Sequence, residues 1–259
     1  LVAALADEHA PVRAAAATAI GRSGGAGIDG GPRRVAELLL EVASREADAD
    51  PVMRHALATA LARAVPVPTL AAMDADSLVR ASEAARVVLA VALRQRAMIR
   101  VGEDVPADGP RHHDRTAAGE ALAAMLEDPA ASVRVRAEAA RAIYDAHLGA
   151  AEPFSPGGPA STPAEDAPFT RLARVLDAVD TSALAIEPIV RRAVEANLRL
   201  GTSDAADRLT RFAARPEVPA LWRILALERL EAWAGGDRRE RVWGHWIPRP
   251  TRTTEAVEA

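Results

Sequence analysis

This sequence predicts an all-α chain of helical hairpins stacked one on the next, and three observations predict it. The first is a recurring phrase. Val12-Arg13-Ala14-Ala15-Ala16-Ala17-Thr18-Ala19-Ile20 returns as Val135-Arg136-Ala137-Glu138-Ala139-Ala140-Arg141-Ala142-Ile143, with looser copies starting at Met53-Arg54, Val79-Arg80, Val190-Arg191 and Trp222-Arg223. A repeated helical phrase implies units that each bury an apolar face on their neighbours. The second is composition: 49% of the 259 residues are hydrophobic but only 3% are aromatic. Ala, Leu and Val dominate; Ala has the best helix propensity, and small side chains let helices approach closely. Strand-favouring residues are too scattered to make a sheet. The third is punctuation. Asp7 and Pro11, Asp50 and Pro51, and Asp128 and Pro129 stand shortly before phrases, as an N-cap acceptor and a first-turn proline would.

Within each phrase the Arg is followed at helical spacing by small or aliphatic residues. Arg13, Ala16, Ala17, Ala19 and Ile20 share one broad face. A shorter helix precedes each phrase, at residues 33–46, 68–74, 116–127, 169–179 and 204–214. The resulting hairpins end near residues 64, 98, 148, 200 and 234, and residues 10–22 form the second half of a truncated one. The expectation is one α-solenoid over residues 1–235, a right-handed superhelix of about five and a half hairpins. A C-terminal cap and polar tail follow over residues 236–259. Irregular intervals between Arg13, Arg54, Arg80, Arg136, Arg191 and Arg223 suit a degenerate array with insertions. Long loops are expected near 23–32, 101–114 and 149–168, where Gly, Pro and Asp interrupt the pattern.

Charge and residue usage narrow the chemistry. Every basic residue is Arg, which with the Ala excess indicates a GC-rich bacterial genome. The net charge of −4 argues against a general phosphate-backbone binder. With no Cys, disulfides, thiolate metal sites, a catalytic thiol and Cys-x-x-Cys-His haem attachment are excluded. No apolar run reaches the length of a membrane span, and no signal-peptide pattern is present. A start at Leu1, inside a helical pattern, reads as a piece of a longer protein.

The pattern Asp-Pro-x-x-Val-Arg-x-x-Ala-Ala-x-Ala-Ile resembles HEAT repeats, an armadillo-like family, over about residues 1–235. That resemblance implies antiparallel helix pairs and an inter-repeat ladder of Asp and Arg. The matching positions are Asp7 with Arg13, Asp50 with Arg54, and Asp128 with Arg134 or Arg136; the Arg191 and Arg223 units lack a clear preceding Asp. More narrowly, Glu138-Ala-Ala-Arg-Ala-Ile-Tyr-Asp145, Ala196-Asn-Leu-Arg-Leu-Gly201 and Arg238-Arg-Glu-Arg-Val-Trp-Gly-His-Trp246 resemble one particular HEAT segment. It belongs to planctomycete-type multidomain proteins with a sorbosone-dehydrogenase-like propeller and a cytochrome c domain. This implies a periplasmic or exported oxidoreductase of which the chain is the helical connector; otherwise a cytoplasmic location is expected. No propeller or haem motif lies in the chain, so no catalytic residue carries over.

Candidate sites are few. His112 and His113 beside Asp114 form the tightest cluster, but adjacent side chains rarely converge on one ion, and the stretch reads as a loop with Asp114 as N-cap. His9, His55 and His147 show no His-Glu-x-x-His spacing. No Gly-x-Ser-x-Gly elbow exists. Gly21-Arg22-Ser23-Gly24-Gly25-Ala26-Gly27 lacks the Lys-Ser/Thr of a phosphate loop and reads as a helix end. Trp222, Trp233, Trp243 and Trp246 cluster at the end of a chain whose residues 1–143 contain no aromatic. They form either a recognition surface or an end cap. Arg33-Arg34, Arg191-Arg192 and Arg238-Arg239-Glu240-Arg241 offer basic spots, interspersed with Glu37, Glu41, Glu187, Glu195 and Asp237. The expectation is a non-catalytic scaffold or protein-interaction module with no cofactor or metal, whose partner is a protein or a flanking domain. The alternatives are the oxidoreductase connector and a helical-repeat nucleic-acid-binding or repair protein.

Overall fold

The computed structural model describes residues 1–48, 50–98, 110–150, 163–178, 186–235 and 239–244, and its elements are helical throughout. Contacts gather into two compact units, Leu1–Ala142 and Ile143–Ala259. The sequence pattern predicts one continuous array; the division falls inside a helix.

The first unit opens with a 3-10 turn, Ala3–Ala6. Then come α1 (Ala10–Ser23), α2 (Gly31–Glu46), α3 (Pro51–Ala64), α4 (Val67–Met73), α5 (Ser77–Arg80), α6 (Glu83–Met98), α7 (Pro110–Glu127) and the start of α8 (Val133–Ala150). Helix α1 packs on α3 and α3 on α6; likewise α2 packs on α4 and α4 on α7. The two successions touch where α2 meets α3 and α6, and where α6 meets α7. Ile20, Leu39, Leu57, Leu61 and Leu70 are fully buried among Ala17, Ala36, Ala43 and Ala58. Burying one such Leu or Ile is worth about 1.5–3 kcal/mol, so the large side chains supply the drive. The small ones set the distance. A Cβ at Gly21 in α1 would stand only 2.8 Å from the Ala60 Cα in α3.

The second unit holds the rest of α8, then α9 (Pro163–Arg174), a 3-10 turn (Val175–Asp177), α10 (Glu187–Leu200), α11 (Ser203–Ala214) and α12 (Ala220–Glu231). Helix α10 packs on α9, α11 and α12, and α11 packs on α12. The core is aromatic here: Tyr144, Phe169, Phe212 and Trp233 are buried.

Local chemistry explains several boundaries. The carboxylates of Asp50 and Asp76 accept the Val52 and Leu78 amides at 2.8 and 2.9 Å, and Thr202 Oγ1 accepts the Ala205 amide. Helices α1 and α10 stop at Gly24 and Gly201, with φ of +62° and +64°, the left-handed region that glycine enters without a Cβ penalty.

Four expectations are corrected. The Val79-Arg80 phrase is not one helix start: α5 ends at Arg80, and Ser82 Oγ then accepts the Ala85 amide to begin α6. Helix α7 begins at Pro110 rather than near 116, because proline suits the first helical position, so Asp114 lies inside the helix and pairs with Arg96 at 2.9 Å. Asp128 turns the chain after α7 by accepting the Ala130 amide, and Ser132 rather than Asp128 begins α8. Part of the expected 149–168 loop is helical, since α8 runs to Ala150 and α9 starts at Pro163 with Pro168 inside it. Residues 151–162 and 101–109 of those expected loops lie outside the described residues.

Candidate functional site

The feature that repeats in three dimensions is an arginine at the fourth position of a helix. Arg13, Arg54, Arg86, Arg136 and Arg223 hold that place in α1, α3, α6, α8 and α12. The last carbonyls of any helix lack intrahelical donors. Arg54 Nε donates to the Ala47 carbonyl, Arg136 Nε to the Leu126 carbonyl and Arg223 Nε to the Ala213 carbonyl, each at 2.9 Å. Each acceptor belongs to the end of the preceding helix, so the arginine clamps the corner between the two helices. Arg13 varies this by donating to the Asp7 carbonyl at 2.6 Å and the Glu46 carboxylate at 2.8 Å. In α10 the fourth residue is Val190, which is buried, and Asn197 Nδ2 takes over by donating to the Ala173 carbonyl of α9 at 2.9 Å.

The positions singled out as an Asp–Arg ladder have these partners. Arg13 uses the Asp7 carbonyl, while the Asp7 carboxylate accepts the His9 amide at 2.8 Å. Asp50 caps α3 and Arg54 turns to Ala47. Asp128 pairs with Arg86 at 2.9 Å. Arg134 pairs with Asp48 at 2.6 Å and Glu83 at 3.3 Å, and Arg136 clamps Leu126. Geometry therefore joins Asp128 to an arginine that the phrase had concealed. Arg86, 4% exposed, bridges the Asp74 and Asp128 carboxylates. Burial would weaken its charge, but hydrogen bonds and attraction from Asp74 and then Asp128 outweigh this and hold its pKa above the ordinary value. Burial likewise opposes ionisation of Asp128, and the Ala130 amide and Arg86 outweigh it, so its pKa is lowered. The overlooked signal is Ser82, whose N-cap places Arg86 at the fourth position.

A second buried polar group has no signature in the repeated phrase. The Tyr144 hydroxyl donates to Glu240 Oε1 at 2.7 Å, and the same carboxylate accepts the Val242 and Trp243 amides. Arg192 stands over the Tyr144 ring at 5.9 Å, and Phe169 lies 5.9 Å away, tilted. Glu195 and Arg229, 0% and 1% exposed, face each other at 3.6 Å. Burial, then the charges of Glu240 and Glu195, push the Tyr144 pKa well above its usual value. The phenol stays protonated near neutrality, so it acts as a donor that anchors Glu240 rather than as a base. A neighbouring network runs from Asp177 through Arg208 (2.7 Å) to Asn197 (2.9 Å).

The aromatic candidates separate by burial. Trp222 and Trp233 are 6% and 2% exposed and belong to the core, whereas Trp243 is 41% exposed; Trp246 lies outside the described residues. His9 is exposed, with Nδ1 3.2 Å from the Asp7 carboxylate, and His55 is exposed. Arg33 and Arg34 both pair with Glu37, and Arg191 pairs with Glu187. The exposed large apolar residues include Val12, Val52 and Val133, each in the first turn of a clamped helix, together with Leu221, Ile224 and Leu227 of α12. Among the described residues no helix is long and apolar enough to cross a membrane. No protein-family model, curated protein or solved structure matches the chain.

Proposed function

We propose that this chain is a non-catalytic scaffold, an α-solenoid of HEAT-like hairpins that binds a protein partner along a ridge of helix starts. The observation that carries the reading is the pairing, within the first unit, of a repeated clamp with a repeated exposed aliphatic residue. Arg13, Arg54 and Arg136 each fix the start of a second helix, and Val12, Val52 and Val133 stand exposed within the same turns. Val12, Val52 and Val133 are the third, second and first residues of their helices, so they share the first turn rather than one register position, and weak contacts at such helix starts add along the length of an array. The basic spots support a nucleic-acid reading poorly, because Arg33, Arg34 and Arg191 already face carboxylates on their own helices. The polar clusters sit inside the units as hydrogen-bonded corners, an arrangement that fixes geometry.

The test is site-specific photo-cross-linking in extract of the native cells, with a benzophenone side chain at position 52 or 133. The same partner should be captured from both positions, and Val12→Asp with Val52→Asp and Val133→Asp should abolish capture while the helical content stays unchanged. Equal capture from position 33 on α2, or survival of capture in the triple variant, would remove the ridge as the binding surface.

A further inference from the structure

Glu240 enters the second unit from outside its helices. It belongs to the stretch 239–244, which follows α12 and is not helical. Glu240 is 1% exposed, whereas Arg239 and Arg241 on either side are exposed and Trp243 is 41% exposed. A short surface stretch therefore sends one charged side chain deep into the unit. Bound peptides hold their sites in the same way, through an anchor in a desolvated pocket.

The turn is organised around its own carboxylate. Glu240 accepts the amides two and three positions on, those of Val242 and Trp243. These bonds are local and need nothing from the helices, as in a helix N-cap. What the helices add is a receptor for the closed turn. The Tyr144 hydroxyl of α8 donates to Glu240 Oε1 at 2.7 Å. Arg192 of α10 stands over the Tyr144 ring, and Phe169 of α9 lies beside it. An apolar side chain in place of Glu240 would leave the buried hydroxyl without this acceptor, so the pocket selects an acidic residue.

We propose that Tyr144, Arg192 and Phe169 form a recognition site for an acidic peptide turn, and that Glu240 to Trp243 is its exchangeable occupant, held in cis. The ligand class is a peptide whose Glu carboxylate accepts the amides two and three residues on. The same turn on a separate peptide makes the same bonds and lacks only the local concentration that the tether supplies. The site lies in the second unit, so it does not depend on the ridge of Val12, Val52 and Val133.

The probe is a fluorescein-labelled peptide of residues 236–247. The full-length Glu240→Ala chain, with its pocket vacated, should bind it. The native chain should bind it about a hundredfold more weakly, because the tethered turn competes at a roughly millimolar local concentration. A peptide with Gln at position 240 should bind the Glu240→Ala chain about tenfold more weakly, and so should the native peptide once Tyr144→Phe is added to that chain. NMR of the isotope-labelled native chain keeps the test independent of how the variants fold. Unlabelled peptide at roughly millimolar concentration should displace the resident turn, moving the Val242 and Trp243 amide signals while those of Ala193 and Leu225 stay in place. No binding to a folded Glu240→Ala chain, binding indifferent to the Gln peptide, or Val242 and Trp243 signals unmoved in the native chain would each overturn the proposal.

Discussion

The Tyr144 hydroxyl donates to the Glu240 carboxylate at 2.7 Å, joining α8 to a residue 96 positions later in the chain. Both side chains are buried, at 0% and 1% exposure. Tyr144→Phe keeps the ring but leaves Glu240 one donor short inside the unit. The expected loss is about 1–3 kcal/mol in urea-induced unfolding. An unchanged midpoint would mean the bond contributes nothing net.

The same pair fixes an alkaline limit. Burial, with Glu240 and Glu195 nearby, raises the Tyr144 pKa in the folded state. The folded chain then holds its phenolic proton more tightly than the unfolded chain does. This contribution is complete below about pH 10, the unfolded value, and is lost as pH rises through the folded value. Tyr144 is the only tyrosine. Its ionisation, followed by ultraviolet absorbance, should therefore coincide with loss of helical signal. Ionisation at an ordinary pKa with the fold intact would refute the burial argument.

Arg86 and Arg134 form a matched comparison. Arg86 is 4% exposed between Asp74 and Asp128, whereas Arg134 is 40% exposed between Asp48 and Glu83. Arg86→Met should cost about 3–5 kcal/mol, since it strands two partly buried carboxylates. Arg134→Met should cost no more than about 1 kcal/mol. Asp128 adds a pH signature through its lowered folded pKa. Its contribution is present above the ordinary carboxylate range and is lost as pH falls through the folded value, and Arg86→Met should flatten that acid slope. Equal losses for the two arginine variants would contradict the role of burial.

The corner clamp predicts that lysine is a poor substitute. In Arg54, Arg136 and Arg223 the donor to the preceding helix is Nε, an atom lysine lacks. Arg136→Lys should lower stability by about 1 kcal/mol, close to the loss from Arg136→Met. Full rescue by lysine would show that charge, not the directed bond, matters.

Close packing of α1 on α3 supplies a steric test. A Cβ on Gly21 would meet the Ala60 backbone at 2.8 Å. Gly21→Val should destabilise by about 1–3 kcal/mol or more, because main chain on both sides must move. A neutral result in thermal unfolding would place the two helices further apart.

By itself the sequence determined the helices and most of their ends. The Arg-Ala phrases, the caps at Asp50 and Thr202 and the stop at Gly201 act within one or two turns, and such signals survive without any tertiary contact. It also marked Arg13, Arg54, Arg136 and Arg223 as special. What each arginine touches, only the tertiary structure decided: Arg54 and Arg136 meet a carbonyl of the preceding helix in place of the expected carboxylate, Arg223 meets one where no Asp was expected, and Arg13 meets the Asp7 carbonyl and the Glu46 carboxylate. It likewise promoted Arg86 over Arg80, buried Trp222 and Trp233 in the core, and brought Tyr144 to Glu240. Helix formation answers to neighbours three and four positions away. A side chain's partner depends on which distant segments share its space, and one sequence read along its length does not contain that distance.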